Sequence, residues 1–511
     1  MTRAMKKSRS RQVIAALGSQ RFFVCVVALL IMQAAWIALS GRYPMAFDED
    51  FHFGIIKLYA HHPIPFWKVH PAGSDAFGAV DRDPSYLYHY VMSFPYRLIT
   101  LFTHNQTAQV LTLRFINIGL FASGLVLYRR LLGLTGASRA LVHSCLLLFV
   151  LLPIVPLLAA QINYDNLFLP LVALSMLLAF RVSREARRYR RLNVHVFGWW
   201  LTVSLLTSLV KYAFLPIFFA EASLLLAVAF TSFSSLSKLG QSFIFGLTLM
   251  RRLARAILLL SLVLAGILFF ERYGLNLVHY HTPVPDCDQV LTVKQCSAYA
   301  PWARDYTFEQ IKTGDSGNQG PFVYTARWLD AMWVRTYFAV DGPTTQFETR
   351  GPLTVPALSG VIFGLCGLVV VIAAGRRLWR QGNRLALSLF ASVSGAYVVV
   401  LWVDEYHAYV RTGQPVAING RYLLPILPLV IVVIGLGLQR LMRRASEAAK
   451  LALIAIATIC LIWGGGALTY ILRSREAWYW QASPLKGVDE SLQRTLGPLT
   501  PGYNHPIQYL P

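Results

Sequence analysis

Three carboxylates and one imidazole stand close together near the start of the chain. Asp48, Glu49, Asp50 and His52 follow an apolar run that ends near residue 40. A carboxylate at a membrane surface is partly desolvated, and this raises its pKa toward the range in which it acts as a general base. Such a cluster also fits a solvated loop that begins just outside a membrane span. The three carboxylates are therefore candidate catalytic residues.

Further polar residues occur where other apolar runs end. Arg421 follows Gly420, which allows close approach of the backbone, and its guanidinium suits bidentate binding of a phosphate. Lys211 alone also fits a side chain that anchors a helix end at the membrane surface. Helix termination is an equally simple role for Asn163 and Asp165. The candidate substrate-binding residues share one expected depth in the membrane: His52, Asn163, Asp165, Lys211, Tyr212, Asp404, Arg421 and Tyr422.

The elements that must position these residues are membrane-spanning helices. Of the 511 residues, 56% are hydrophobic and only 14% are charged. A bilayer core is spanned by about 20 apolar helical residues, and its lack of water excludes irregular chain. The basic start leads into a full-length apolar segment without a cleavage signal, which indicates a retained first span. The sequence predicts an all-α polytopic membrane protein with about eleven spans, at 21–40, 112–129, 140–160, 164–181, 196–210, 213–230, 256–271, 353–374, 385–402, 422–438 and 451–471.

Basic residues cluster in alternate connections between these spans. This pattern places the N-terminus in the cytoplasm and the C-terminus outside. The formal net charge of +23 then comes from the basic loops between spans, which are attracted to anionic lipid headgroups, so no nucleic-acid partner is expected. The predicted parts are a basic cytoplasmic tail, a transmembrane domain with two large outer loops, and an outer tail: 1–20, 21–471 with loops 41–111 and 272–352, and 472–511. The aromatic stretch 86–102 contains Pro95 and is predicted to lie in the interface.

Acids and two cysteines also distinguish the outer side. All but three of the 24 acidic residues fall there, if Asp165 and Glu271 at the outer ends of two predicted spans are counted with them; the exceptions are Glu221 in a predicted span and Glu185 and Glu447 in basic loops. Cys287 and Cys296 lie in the second outer loop, where an oxidising compartment favours a disulfide. Two free thiols or half of a metal site are the alternatives. No essential metal and no cofactor is expected.

Several short motifs together resemble the GT-C glycosyltransferases, and most closely a group of uncharacterised predicted membrane proteins placed in that class. The likeness covers most of residues 40–440. It is carried by Asp48-Glu49-x-x-His52-Phe53, Asp83-Pro84 with Tyr88, Asn163-x-Asp165, Cys287 to Cys296 followed by Pro301-Trp302-Ala303-Arg304, and Gly420-Arg421-Tyr422-Leu423-Leu424-Pro425. Each motif is short, and their order along the chain makes the set specific.

The resemblance implies a sugar donor linked to polyprenyl phosphate, inversion at the anomeric carbon, and Asp48 at the position of the catalytic aspartate. An alignment on His52-Phe53-Gly54 would instead make Glu49 and Asp50 the acidic pair, so the register stays open. The lipid phosphate is a good leaving group, which makes a nucleotide-binding loop unnecessary. Arg421 and Lys211 would hold that phosphate. The resemblance and the outer cysteines favour the bacterial cytoplasmic membrane, with the site on its outer face.

Other classes of function remain open at this point. A transporter or flippase of a lipid-linked glycan would favour charges at mid-membrane and broken helices, as Glu221 and the segment 211–216 suggest. No internal repeat supports that class. A polymerase or ligase that moves whole glycan chains from lipid carriers would need the same site with a larger donor. A purely structural scaffold would not need polar groups that converge from distant segments.

Overall fold

The structure is a computed structural model that describes residues 3–45, 48–312, 320–337, 353–481 and 483–504. Within these residues it is helical throughout, with one isolated β-bridge between Gly41 and Tyr479. The helices of the first half are α1 (Arg3–Leu17), α2 (Gln20–Ser40), α3 (Glu49–Ala60), α4 (Leu87–Thr100), α5 (Gln106–Gly133), α6 (Arg139–Val150), α7 (Ile154–Ala159), α8 (Asp165–Tyr189), α9 (Val194–Val210), α10 (Leu215–Ser232), α11 (Leu236–Leu249) and α12 (Arg252–Phe269).

The second half continues with short helices in the outer loop and then returns to long ones. Its helices are α13 (Leu275–Tyr280), α14 (Cys287–Val290), α15 (Val293–Cys296), α16 (Ala300–Ile311), α17 (Pro321–Tyr337), α18 (Thr354–Gln381), α19 (Arg384–Thr412), α20 (Leu427–Leu441), α21 (Glu447–Ile462), α22 (Ala467–Arg473) and α23 (Leu485–Leu496). Short 3₁₀ turns occur at Asp75–Phe77, Tyr212–Phe214, Gly420–Leu423 and Glu476–Trp478, and a π turn at Phe270–Gly274.

Eight helical segments in the described chain are long and apolar enough to cross a bilayer: Gln20–Ser40, Gln106–Gly133, Asp165–Tyr189, Tyr212–Ser232, Arg252–Tyr280, Thr354–Gln381, Arg384–Thr412 and Glu447–Arg473. The other three predicted spans coincide with the shorter apolar helices α6, α9 and α20. Pro153 precedes α7, and Pro156 lies within it, where proline interrupts the 140–160 run. The prediction of an all-α polytopic membrane protein is confirmed.

Helix starts differ between the two ends of the bundle. Five helices that begin at the end with the basic loops have Ser or Asn caps whose side chains accept a backbone N–H, each contributing about 1 kcal/mol. The caps are Ser19, Ser138, Asn193, Asn383 and Ser446. The helix α12 also begins there, without such a cap. At the opposite end, α5 has the side-chain cap Asn105, whereas α3, α8 and α10 begin without one. Polar side chains at that end are therefore held by other contacts.

Two predicted segments differ from the structure. The ninth predicted span ends at 402, with Asp404 as its cap, but α19 continues to Thr412 and carries Asp404 within the helix. Its extra turns are stabilised by aromatic packing, because the ring of Tyr406 stacks on that of Trp402 with centroids 5.1 Å apart. The N-terminal tail includes the helix α1, which packs against α6 and α21. In contrast, α4 is a 14-residue helix through Pro95, consistent with the interface helix predicted there.

The outer segments pack on the ends of the spanning helices. One buried core runs through most of the spanning helices and also includes Phe53 and Ile56 of α3. In the C-terminal segment, Asp489 of α23 accepts a hydrogen bond from the indole of Trp36 at 2.9 Å, which ties that segment to α2. Residues 505–511 of the predicted outer tail lie outside the described chain. The end of α2, the start of α3 and the turn between α7 and α8 thus meet on one side of the bundle.

Candidate active site

Asp48 and Arg421 form an ion pair across 373 positions of sequence. The Arg421 Nη2 lies 2.9 Å from the Asp48 Oδ2, and the arginine side chain is only 6% exposed while that of the aspartate is 47% exposed. Asp48 stands directly before α3 with φ 64° and ψ 33°, a left-handed conformation that few residues other than glycine adopt. Backbone strain of this kind clusters at functional sites. The structure thus brings one candidate base against the candidate phosphate-binding cation.

A tight turn fixes the position of Arg421. The side-chain oxygen of Asn419 accepts the backbone N–H of Arg421 at 3.0 Å, which starts the 3₁₀ turn Gly420–Leu423. A Cβ at Gly420 would lie 2.4 Å from the backbone nitrogen of Thr336 in α17. Only glycine permits this approach of the turn to α17. In the motif Asn-Gly-Arg, the first two residues therefore shape the turn, and the arginine interacts with Asp48.

A second ion pair lies beside the first. Lys211, at the end of α9, places its Nζ 2.6 Å from the Asp165 Oδ1, and both side chains are buried. The ring of Tyr422 lies against both cations, 4.9 Å from the Lys211 Nζ and 5.3 Å from the Arg421 Cζ. The second Asp165 oxygen has no hydrogen-bond partner among the described residues. Two cations and two carboxylates from four segments are thus gathered around one aromatic ring.

The turn between α7 and α8 holds Asp165 in place. The side-chain oxygen of Asn163 accepts the backbone N–H of Asp165 at 2.9 Å, and Asn163 is fully buried. Its own backbone N–H approaches the Asn117 side chain of α5 at 3.5 Å. Tyr164 presents its ring to the Lys211 Nζ at 4.6 Å. Asn163 therefore shapes the turn, while Asp165 reaches the cation.

Glu49 makes a different kind of contact from its neighbour. Its two oxygens accept hydrogen bonds from Arg114 of α5, at 2.8 Å from Nε and 2.6 Å from Nη2. The backbone N–H groups of Met45 and Ile162 donate to the same carboxylate at 2.8 and 3.2 Å. Arg114 also donates to the carbonyl oxygen of Gly41 at 2.6 Å. With both side chains fully buried, this pair joins α2, α3, α5 and the turn after α7.

His52 and Asp50 lie on opposite faces of the first turn of α3. Asp50 is exposed. His52 is buried, and its Nδ1 lies 2.8 Å from the Nε2 of His89 in α4. Burial, the neighbouring His89, and the cations Arg421 and Lys211 hold the pKa of His52 well below its usual range. Burial also lowers the pKa of His89 to about 3. Both imidazoles are therefore neutral behind the Asp48 and Arg421 pair.

Tyr212 and Asp404 lie at the rim of the same site. Tyr212 follows Lys211, is 44% exposed, and lies within electrostatic range of Asp404 and Tyr422. Asp83 is another acid within range of Tyr212. Burial raises the pKa of Asp83, although the backbone N–H of Ser85 and the charge of Arg272 oppose that shift. The rim thus gathers hydroxyl and carboxyl groups within electrostatic range of one another and of Tyr422, whose ring contacts both cations.

The second outer loop covers part of this rim. The sulfur atoms of Cys287 and Cys296 lie at bonding distance, 2.10 Å, so the predicted disulfide is present. It joins α14 and α15, and α15 packs on the first outer loop at Asp75–Phe77. Tyr299 follows and lies 5.8 Å from Phe51 of α3, ring to ring, within electrostatic range of Asp48 and Asp83. The disulfide-bonded loop therefore carries an additional tyrosine to the site.

Sequence reasoning missed three residues that complete this arrangement: Arg114, His89 and Tyr299. Arg114 lies inside a predicted span, and an intramembrane charge was the available signal for a partner to one of the three acids. His89 and Tyr299 carry no such signal, because an isolated histidine or tyrosine in a loop is common. Within the described ranges, no group of three or more His, Cys, Asp or Glu side chains is arranged to hold a metal ion.

Comparison with known proteins gives little beyond this geometry. No family model and no curated protein matches the chain. One solved structure to which it is similar is the archaeal oligosaccharyltransferase AglB from Archaeoglobus fulgidus, in complex with an inhibitory peptide and a dolichol-phosphate. The TM-score is 0.44 and the identity 13%, over 96% of this chain and 60% of that chain. A similarity of this size carries no inference about function.

Proposed function

We propose that the chain is an inverting membrane glycosyltransferase, related to the GT-C class, that moves a sugar from a polyprenyl-phosphate donor to a hydroxyl acceptor. The site is expected on the outer face of a bacterial cytoplasmic membrane. The observation that carries this proposal is the contact of the half-exposed Asp48 with the buried Arg421, beside the Lys211 and Asp165 pair. A base that solvent can reach and two enclosed cations are what such a transfer needs.

Asp48 is the proposed general base. The acceptor hydroxyl gives its proton to Asp48 as its oxygen bonds to the anomeric carbon, and the bond from that carbon to the phosphate oxygen breaks. The electron pair of the broken bond leaves with the polyprenyl phosphate, and attack from the opposite side inverts the anomeric centre. Of the three acids, Asp48 is the one that is both accessible and next to the cations. Glu49 has its oxygens occupied by Arg114, and Asp50 is exposed on the other side of the turn.

Arg421 and Lys211 are the proposed phosphate-binding residues. Both are nearly enclosed by protein, where a positive charge stabilises a departing phosphate more strongly than in water. The donor phosphate carries one negative charge over two non-bridging oxygens, which match the bidentate geometry of the Arg421 guanidinium better than its present contact with one Asp48 oxygen. Its arrival displaces Asp48 from Arg421 and frees the carboxylate to act as a base. Asp165 holds Lys211 toward Tyr422 through this exchange. His52 supports the site from behind as a positioning residue.

The rim residues supply polar groups for the sugar or the acceptor. Tyr212 and Asp404 lie near each other there, with Asp83 and Tyr299 close by. Hydroxyl and carboxyl groups of this kind form the hydrogen bonds that sugars require, and the aromatic rings offer apolar faces. Asn163 is buried and shapes the turn that presents Asp165. We therefore assign contact with the substrate to the rim residues, and to Asn163 the structural role of holding the turn that presents Asp165.

The test is turnover of a labelled polyprenyl-phosphate sugar by the purified protein. Asp48→Asn is expected to lower the rate of transfer or donor hydrolysis by about 10²–10⁴-fold, the usual contribution of a general base. Arg421→Ala is expected to lower it by about 10²–10³-fold, as for loss of one transition-state donor. Asparagine accepts the left-handed backbone of position 48, so the first variant keeps the local fold. Thermal unfolding of each variant checks this.

Two matched controls complete the experiment. Asp288→Asn removes an exposed carboxylate of the second outer loop, and Arg327→Ala removes an exposed cation of α17. Neither is expected to change turnover. Full activity in Asp48→Asn would refute its role as base, and loss of activity in Asp50→Asn instead would move that role to Asp50.

One observation favours a second class, a transporter or flippase of a lipid-linked glycan. Glu221 is fully buried in α10 and accepts hydrogen bonds on Oε2 from Ser175 at 2.6 Å and Trp200 at 2.7 Å. Its Oε1 has no hydrogen-bond partner among the described residues. Acids inside a membrane often mark transport pathways. Movement of the labelled lipid across vesicles without any sugar transfer would favour this class over the transferase.

A further inference from the structure

A second cavity lies at the opposite end of the bundle from the candidate active site. It encloses about 930 Å³ between α2, α5 and α6, at the end where the basic loops are. One wall is apolar and rises along α2 from Val24 to Ile31, facing Val126 of α5. The stretch from Val24 to Ile31 rises about 10 Å at 1.5 Å per residue, about two thirds of the depth of one leaflet of a bilayer core. This wall is long enough to line the first part of an acyl chain.

The cationic end of the cavity is formed by three arginines. Arg129 and Arg130 come from the last turns of α5, and Arg139 is the first residue of α6. Arg129 lies within electrostatic range of Arg139 and Arg130, whose positive charges repel it. The two acids at this end of the bundle, Glu185 and Glu447, pair with Arg181 at 3.0 Å and Lys450 at 2.8 Å. Within the described chain, no carboxylate neutralises the three arginines.

Arg129 is held in place rather than left to move in solvent. Its Nε donates to the Nε2 of His143 at 2.9 Å, and its guanidinium lies 4.5 Å from the ring of Phe23. Because the His143 Nε2 accepts this bond, its Nδ1 carries the proton and donates to the Leu17 carbonyl at 2.8 Å. His143 is therefore neutral and acts as a support. A fixed guanidinium loses little freedom when it binds an anion.

Two helix starts add to the positive potential. Gln20 and Arg139, the first residues of α2 and α6, both line the cavity. The N-terminal end of a helix carries a partial positive charge, so a cation at the start of α6 is unfavourable on its own. An anion placed between the two helix starts would relieve this repulsion. The position of Arg139 thus argues for an anionic ligand independently of the arginine count.

We propose that this cavity binds one anionic phospholipid from the leaflet at the basic end. Its phosphate lies against Arg129, Arg130 and Arg139, and one acyl chain lies along the wall from Val24 to Ile31. A contrasting cavity of about 750 Å³ between α8, α9, α10 and α11 has no charged lining residue. Of these two cavities, the charge-lined one offers both parts of an anionic lipid a complementary surface.

The test is native mass spectrometry of the purified full chain with added lipid. Phosphatidylglycerol with two oleoyl chains is compared with phosphatidylcholine carrying the same chains. The wild-type protein is expected to retain one phosphatidylglycerol in preference to phosphatidylcholine. Arg129→Gln and Arg139→Gln should each weaken this binding about fivefold, the effect of one basic residue near anionic lipid. Ala28→Trp narrows the apolar wall with every charge kept, and should also release the lipid.

The matched control is Arg187→Gln with Arg188→Gln, which removes two exposed arginines from the basic end of α8, away from the cavity. It should retain the lipid as the wild type does. If this control loses phosphatidylglycerol to the same extent, the binding is a general attraction to a basic surface, and the proposal is overturned. Equal binding of phosphatidylcholine would overturn it too, as would displacement of the bound phosphatidylglycerol by polyprenyl phosphate, which would make the cavity a carrier-lipid site. Thermal unfolding midpoints in detergent confirm that each variant is folded.

Discussion

Asp48 and Glu49 are neighbours in the chain, yet their ion pairs differ in how deeply they are buried and in how many hydrogen bonds each carboxylate accepts. Glu49 and Arg114 are both fully buried, and the carboxylate also accepts the backbone N–H groups of Met45 and Ile162. Asp48 touches Arg421 by a single 2.9 Å contact and is 47% exposed. The first pair is closed on all sides. The second is open to solvent on the side of the carboxylate.

The difference assigns a structural role to Glu49 and leaves the proposed catalytic role to Asp48. A buried charge that loses its partner is strongly destabilising, so Glu49 and Arg114 are locked together. A pair with one exposed member gains little free energy from its contact and can exchange it. An acid that must take up a proton, beside a cation that must bind a phosphate, has to be of the second kind. The closed pair holds the start of α3, and the open pair is left to react.

The largest effect is expected from breaking the closed pair. Glu49→Gln leaves the Arg114 guanidinium buried without a counter-charge and should lower the free energy of unfolding by about 3–5 kcal/mol. Asp48→Asn is the matched control, and should lower it by at most about 1 kcal/mol because the aspartate is half exposed. Unfolding midpoints in detergent, measured on both variants, decide between the two. Equal losses would show that the two pairs do not differ in the way described.

A double variant sharpens this test. Glu49→Leu with Arg114→Met removes both charges, and replacement of a buried pair by apolar groups is often neutral. It should recover most of the stability that Glu49→Gln loses. Failure to recover would mean that the hydrogen bonds of Arg114 to the Ala38 and Gly41 carbonyls matter more than its charge.

The helical fold was predictable from the sequence because the bilayer imposes it. Apolar length and the absence of water determine where helices can cross. All eleven predicted spans coincide with helices of the structure, although three of these helices are short. The extension of α19 to Thr412 was not predictable, since it depends on aromatic packing between Trp402 and Tyr406. Hydropathy contains no information about such contacts between aromatic rings.

The sequence allowed prediction of the depth of the candidate site along the membrane normal, but not of the contacts between its residues. The end of a span tells how far along the membrane normal a residue lies, and this sufficed to group Asp48, Lys211 and Arg421. It does not tell which side of a helix a residue faces or which neighbour it meets. The partner of Glu49 is Arg114, and nothing in the spacing of the motif identifies it. The role of each acid therefore needed the packing of α3 against α5.

A smaller effect is expected from acid, through the histidine pair behind the open contact. The pKa values of His52 and His89 are both lowered, so the folded protein binds fewer protons than the unfolded chain below about pH 6.5. Stability should then fall with pH from about 6.5 downward, by up to about 1.4 kcal/mol per pH unit for each histidine. Unfolding midpoints between pH 7.5 and 5.5 measure the slope. His89→Gln should flatten it and the exposed His104→Gln should not; equal slopes would show that the pair does not titrate.

The smallest effect tests whether the open pair exchanges partners. If polyprenyl phosphate displaces Asp48 from Arg421, then Asp48→Asn removes the competitor and the phosphate should bind more tightly. An exposed ion pair contributes at most about 1 kcal/mol, so the gain should be about fivefold in Kd. Titration of the protein with polyprenyl phosphate, followed by calorimetry in detergent, measures it. The same variant would thus lose turnover and gain affinity for the product, a combination that misfolding cannot produce.

Removal of the cation should have the opposite sign. Arg421→Ala takes away the guanidinium that the phosphate needs and is expected to weaken binding of the same lipid. Asp288→Asn, which removes an exposed acid of the second outer loop, should leave the affinity unchanged and so excludes a general effect of net charge. Unchanged or weaker binding in Asp48→Asn would show that the carboxylate and the phosphate do not share Arg421. The open pair would then be a structural contact like that of Glu49, and the base would have to be sought among the acids of the rim.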